Sequence, residues 1–271
     1  DPERFPNADA ALRADLLHET EMFFEAIVQE DRSILDLLDA PFTFVNERLA
    51  RHYGLPGVAG ERFRRVTLDG ERRAGILTHG SVLLVTSYPT RTSPVKRGKW
   101  LLEQFLGQTV PPPPPGAGDL PATGPEGRPA TLRERMAQHL RDPACAACHQ
   151  RLDPLGLAFE NYDAVGAWRS RDGDADVDPS GVLPDGRRFA TPKHLRALLR
   201  ADPAFPRGFA THLLTYALGR ALTPADAPHL DAIVARAAQA GHRFSAYVEA
   251  VVESVPFRSL RTEPPPPESP R

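Results

Sequence analysis

Cys145-Ala146-Ala147-Cys148-His149 is the segment that most constrains how this chain can fold. Two cysteines three apart share one face of a helical turn, and a histidine directly follows the second. The pattern is C-x-x-C-H, the spacing at which two thiols reach the vinyl groups of one porphyrin while the adjacent imidazole reaches its iron. On this reading Cys145 and Cys148 carry a covalent haem c, one per chain. His149 is then the proximal iron ligand, a position imidazole commonly takes. Two other readings compete. A structural zinc site draws on four ligands, and the chain has no cysteines beyond these two. A thioredoxin-like dithiol sits at a helix start after a strand, whereas Pro143 and polar residues precede Cys145.

Length and charge narrow the class further. At 271 residues the chain exceeds a typical single domain and suggests two or three modules. Its 33 lysines and arginines nearly balance 35 aspartates and glutamates, so no nucleic-acid partner is expected. No run of about 18 apolar residues exists, so no transmembrane segment is expected. Haem is normally attached to C-x-x-C-H outside the cytoplasm, which points to a periplasmic or extracellular protein. The opening Asp1-Pro2-Glu3-Arg4 reads as a mature chain or the C-terminal part of a larger secreted one. Prolines cluster at 111–115 and 264–267 as stiff linkers of polyproline II type. There is no G-x-S-x-G, no H-E-x-x-H and no phosphate loop, so hydrolase or kinase chemistry has no basis.

Periodicity divides the chain into a helical module (1–72), a haem c module (73–171), a C-terminal hairpin with helices (172–262) and a Pro-rich tail (263–271). In the first, Leu12, Leu16, Leu17, Phe23, Phe24, Ile27 and Val28 recur at helical spacing from Ala10 to Gln29. Ile34 to Leu38 and Phe44 to His52 predict two more helices, and Phe63 to Leu68 an extended piece. In the second, Val82 to Val85 could be extended, and Val95 to Leu106 predicts an amphipathic helix. Thr131 and Glu134 have capping-box spacing, starting a helix that ends near His139 or Leu140. Leu152-Asp153-Pro154-Leu155 predicts a sharp turn. In the third, the aspartates at 172, 174, 176 and 178 suggest calcium, but an EF-hand needs Gly where Val177 stands and Glu where Leu183 stands. A solvated loop is expected instead. Asp185-Gly186 centres a hairpin over 182–189. Helices are expected over 192–200, 206–218, 227–240 and 245–254. The fold class is therefore mainly α: helical modules around a c-type haem segment, with a small β-hairpin.

Taken together, these residues resemble the C-terminal modules of planctomycete-type multidomain cytochrome-like proteins, consecutive domains of unknown function with a C-x-x-C-H motif. The resemblance is carried by Ser33 to Leu38 with Phe42 to Leu49, by Arg91-Thr92-Ser93-Pro94-Val95-Lys96-Arg97-Gly98-Lys99-Trp100, and by Asp153-Pro154-Leu155-Gly156 with Glu160-Asn161-Tyr162-Asp163. Leu183-Pro184-Asp185-Gly186, Thr215 to Arg220 and Ser254-Val255-Pro256-Phe257 extend it to the C-terminal block. It implies a secreted haem protein with further modules upstream. Electron transfer within a larger multidomain protein is the function expected, with a redox partner protein or an upstream domain as partner. The alternative is the haem part of an oxidative enzyme with an open sixth position, acting on an extracellular substrate.

The sixth iron ligand is less constrained than the proximal one. No methionine follows Cys148, and the chain holds only Met22 and Met136. Upstream candidates are His139, Met136 and His79, with His212 behind them. His139 resembles a histidine typical of the family and is the expected second metal ligand beside His149. Arg91 and Arg97 are candidate partners of the haem propionates, with Lys96 and Arg169 as further cations. Trp100 and Trp168 would suit either a porphyrin edge or a core. A carbonyl near Asp153-Pro154 could orient the proximal imidazole.

Overall fold

The computed structural model describes residues 1–112, 130–141 and 143–259, with the side chains of residues 138, 139, 143, 144 and 147 outside the described set. The 264–267 proline cluster and most of the 111–115 cluster also lie outside the described residues. The chain is mainly α, with small antiparallel two-stranded sheets.

In the first block, α1 (Ala10–Gln29) starts at Asp9, whose carboxylate accepts from the Leu12 amide. Its buried stripe of Leu12, Leu16, Phe23 and Ile27 faces the core, with Glu19 set among them. After α2 (Asp36–Asp39), the expected helix over 44–52 is corrected at its start. Phe42–Val45 is a strand, β1, paired with β2 (Arg64–Thr67), and α3 (Glu47–Tyr53) begins only after Asn46. Asn46 caps that helix by accepting from the Leu49 amide.

The second block contains α4 (Gly80–Val85), which corrects the extended reading of Val82 to Val85. There follow α5 (Pro94–Trp100) with a π-helical turn over Leu101–Phe105, α6 (Leu132–His139) and α7 (Pro143–Leu157). The capping box of α6 is present: Thr131 N–H donates to Glu134 Oε2 and Glu134 N–H to Thr131 Oγ1. The turn expected at Asp153-Pro154 is absent, and α7 runs straight through Pro154 although the ring removes one helix hydrogen bond. Packing on α5 explains why the helix persists. A Cβ on Gly98 would collide with the Leu152 carbonyl, and one on Gly156 with the Pro94 carbonyl. These two glycines let the helices cross at backbone distance.

The third block opens with β3 (Arg171–Asp172) and β4 (Ala175–Asp176), so the aspartate-rich segment is a small hairpin instead of a plain loop. A second hairpin, β5 (Gly181–Val182) and β6 (Arg188–Phe189), turns at Asp185-Gly186 as the sequence predicts. The helices α8 (Pro192–Arg200), α9 (Ala204–Leu218), α10 (Ala227–Gln239) and α11 (Phe244–Glu253) follow, with the short α12 (Val255–Arg258) last. All three blocks feed one main core: Phe23, Ile34 and Leu38 from the first, Leu101, Leu155 and Phe159 from the second, and Leu195, Leu214 and Tyr247 from the third. Smaller clusters gather Leu12, Leu16 and Leu49, and Leu132, Met136 and Leu157.

Candidate haem site

The sequence segment 145–149 lies on α7. Helical periodicity puts Cys145 and Cys148 one turn apart on one side. Both thiols are free, Cys145 half-buried and Cys148 exposed. His149 follows on the same turn, and its Nδ1 lies 2.9 Å from Asp153 Oδ1, one turn further along. That hydrogen bond raises the imidazole pKa above its ordinary value. With Nδ1–H donating to the carboxylate, the neutral tautomer carries its lone pair on Nε2. Asp153 is buried, and its second oxygen, Oδ2, has no hydrogen-bond partner among the described residues. The acceptor at this imidazole is the Asp153 side chain, where the sequence suggests a backbone carbonyl. The continuous helix brings positions 149 and 153 together, and the expected turn concealed that spacing.

His149 and Asp153 border an open cleft of about 600 Å³ between α6, α7 and the β5–β6 hairpin, within the size range of cofactor pockets. Leu157, Val182, Leu183 and Pro184 give it apolar walls. Among the described residues no three His, Cys, Asp or Glu side chains converge to hold a metal ion. Two adjacent thiols and an oriented imidazole are the donor types a covalently attached haem uses, and of these three residues His149 alone borders the apolar cleft.

The remaining candidates are dispersed. His139 closes α6, but its side chain lies outside the described residues. Met136 packs with Leu132 and Leu157. His79, at the start of the second block, is a core histidine packed against the first: its Nδ1 meets Thr20 Oγ1 at 3.0 Å, its ring stacks edge-on against Phe23, and burial pushes its pKa down to about 3. His212 Nε2 bonds the Glu103 carbonyl. Arg97 is buried and donates to the carbonyls of Phe159, Tyr162 and Asp163 and to Glu160. Arg169 and Thr92 bind the other Glu160 oxygen. This network pins the segment after α7 onto α5. Arg91 lies over the Tyr88 ring, 4.6 Å from its centroid, and donates to the Thr92 carbonyl. Neither Arg91 nor Arg97 borders the cleft; the arginines that do are Arg133 and Arg188. Trp100 packs on Phe105 and Trp168 on Tyr162, both as core aromatics.

The architecture defines a helical chain of consecutive modules with a C-x-x-C-H helix in the middle one. Residues 1–55 match the family described as Protein of unknown function (DUF1592), residues 73–172 that described as Protein of unknown function (DUF1588), and residues 185–257 that described as Protein of unknown function (DUF1585). The chain carries the three consecutive domains typical of planctomycete-type multidomain cytochrome-like proteins. Neither a curated protein nor a solved structure matches it. Among the described residues no helix is long and apolar enough to cross a membrane.

Proposed function

We propose that this chain is a secreted c-type haem protein acting as an electron-transfer module of a larger multidomain protein. The observation that carries the reading is the arrangement on α7: two free thiols one turn apart and an imidazole held by Asp153 at the edge of an apolar cleft. Cys145 and Cys148 would hold haem by thioether bonds, and His149 would ligate the iron. When bound, the haem supplies one-electron exchange between ferrous and ferric states. Asp153 fixes the imidazole tautomer and increases its basicity, which favours the ferric state. The redox partner would be another protein or an upstream domain, in the periplasm or outside the cell.

His139 is proposed as the sixth ligand. His79, the other upstream histidine candidate, is engaged with Thr20 and Phe23 of the first block. The test is the ferric spectrum of the chain matured with haem in a periplasm. A low-spin, six-coordinate spectrum that turns high-spin in His139→Ala, and not in Met136→Ala, supports electron transfer through a bis-histidine haem. A wild-type protein that is already high-spin, with bands that move on adding small ligands, would instead favour an oxidative enzyme with an open position.

A further inference from the structure

We propose that the β5–β6 hairpin of the third block completes the haem site, packing Val182 and Pro184 against the porphyrin and pairing Arg188 with a haem propionate. This deepens the haem reading of the preceding subsection and rests on it. The cleft follows α7 from His149 through Asp153 to Leu157, running away from the two cysteines. A haem held at the cysteines by thioether bonds would reach this cleft with its opposite, propionate edge. A wall suited to that edge needs an apolar surface with a cation beside it.

The hairpin has both on one face. Val182 and Arg188 are cross-strand partners, so their side chains share a side of the two-stranded sheet. Both border the cleft. Val182 is a large apolar side chain left 45% exposed, while Leu183 and Phe189 are buried in the main core and anchor the hairpin from behind. Arg188 is exposed and forms no hydrogen bond or ion pair among the described residues. The cleft's other arginine differs. Arg133 donates to the carbonyls of Asp178 and Ser180, which ties α6 to the chain entering β5. Arg188 is therefore the cation available to a carboxylate entering the cleft. One consequence is that the cofactor would bridge two family domains, since Cys145 to His149 lie in the 73–172 match and Arg188 in the 185–257 match.

The test uses the full chain exported to a periplasm that attaches haem to C-x-x-C-H, as wild type, Arg188→Gln, Arg188→Glu and Val182→Asp. Haem per polypeptide, the visible spectrum and the midpoint potential are measured, with far-ultraviolet circular dichroism to verify the fold. Covalent attachment should persist in every variant, because the thiols are untouched. The potential should fall for Arg188→Gln and further for Arg188→Glu, because losing a cation beside the propionates favours the ferric state. Raising the salt concentration should shrink both differences. Val182→Asp should lower the potential as well by wetting and charging the porphyrin face. Variants that carry one haem with wild-type spectra and potentials would overturn the hairpin's role and leave the haem reading standing. A wild-type chain that takes up no haem would overturn both. Should Val182→Asp lose its fold, the Arg188 series alone decides.

Discussion

Glu19 is a carboxyl group sealed in the first block, with Thr43 donating to Oε1 at 2.6 Å and Tyr53 donating to Oε2. His79 lies 3.9 Å away, and the Arg73 guanidinium stacks on the Tyr53 ring. Burial raises the Glu19 pKa to about 7, against the opposing pull of Thr43, Tyr53 and Arg73. Stability contributed by the neutral acid is complete below its unfolded pKa near 4.5 and is lost as pH rises through 7. A shift of that size corresponds to about 3 kcal/mol. His79 has the opposite effect: its folded pKa is depressed, so stability is lost as pH falls below 6.5 towards 3. Urea unfolding should therefore show greatest stability between about pH 4.5 and 6.5. In Glu19→Gln the decline above pH 6.5 should disappear and stability should instead rise from pH 5 to 6.5 under His79 alone, and an unchanged profile would assign the pH dependence to other groups. At the proposed haem site, Asp153→Asn should leave haem attachment intact and raise the midpoint potential by weakening the charge on the proximal imidazole; an unchanged potential would mean that Asp153 does not govern the ligand. Cys145, Cys148 and His149 were legible in the sequence because their spacing is local. Glu19, Tyr53 and His79 come together only through tertiary contact between α1, α3 and the start of α4, and no spacing along the chain announces that.

The crossing of α5 and α7 is the element-scale feature that places C-x-x-C-H. It depends on Gly98 facing the Leu152 carbonyl and Gly156 facing the Pro94 carbonyl. Gly98→Ala should destabilise the fold by about 1–3 kcal/mol, since the obstacle is backbone and cannot move aside by a rotamer change. Chemical denaturation at neutral pH checks this, and a loss under about 0.5 kcal/mol, the usual range of a surface substitution, would show that the helices separate easily. Most long helices were readable from their apolar period and caps, as with α1 and the Thr131–Glu134 box of α6. Three local readings failed for identifiable reasons. Phe42–Val45 pairs with β2, a partner some twenty residues on, and Asn46 marks where the helix begins. Val82 to Val85 suggests a strand by composition, yet it is helical, and Thr86 returns its hydroxyl to the Val82 carbonyl. Asp153-Pro154 suggests a turn, but contact with α5 keeps α7 continuous.

At the scale of the whole molecule, the three family matches do not correspond to three separate cores. Leu101, Leu155 and Phe159 of the middle block pack in the same cluster as Phe23 and Leu38 of the first and Leu195 and Leu214 of the third. Buried Arg73 reaches from the start of the middle block to the Gly166 carbonyl near its end and stacks on Tyr53 of the first. A fragment of residues 73–172 should therefore fail to unfold cooperatively, whereas the span 1–259 should give a single sharp transition by circular dichroism. A cooperative fragment would show that the middle block holds its own fold. The shared core is not legible in the sequence, because helical periodicity reports which face is buried and not which partner buries it. The central claim is covalent haem on α7. The most direct test is the mass of the full chain, matured in a haem-attaching periplasm and extracted with acid–acetone, beside the Cys145→Ser/Cys148→Ser double variant. The account predicts that the wild-type polypeptide keeps its colour and gains the mass of one haem, while the double variant has the mass of the bare chain. A wild-type chain that emerges colourless at the bare mass would contradict it.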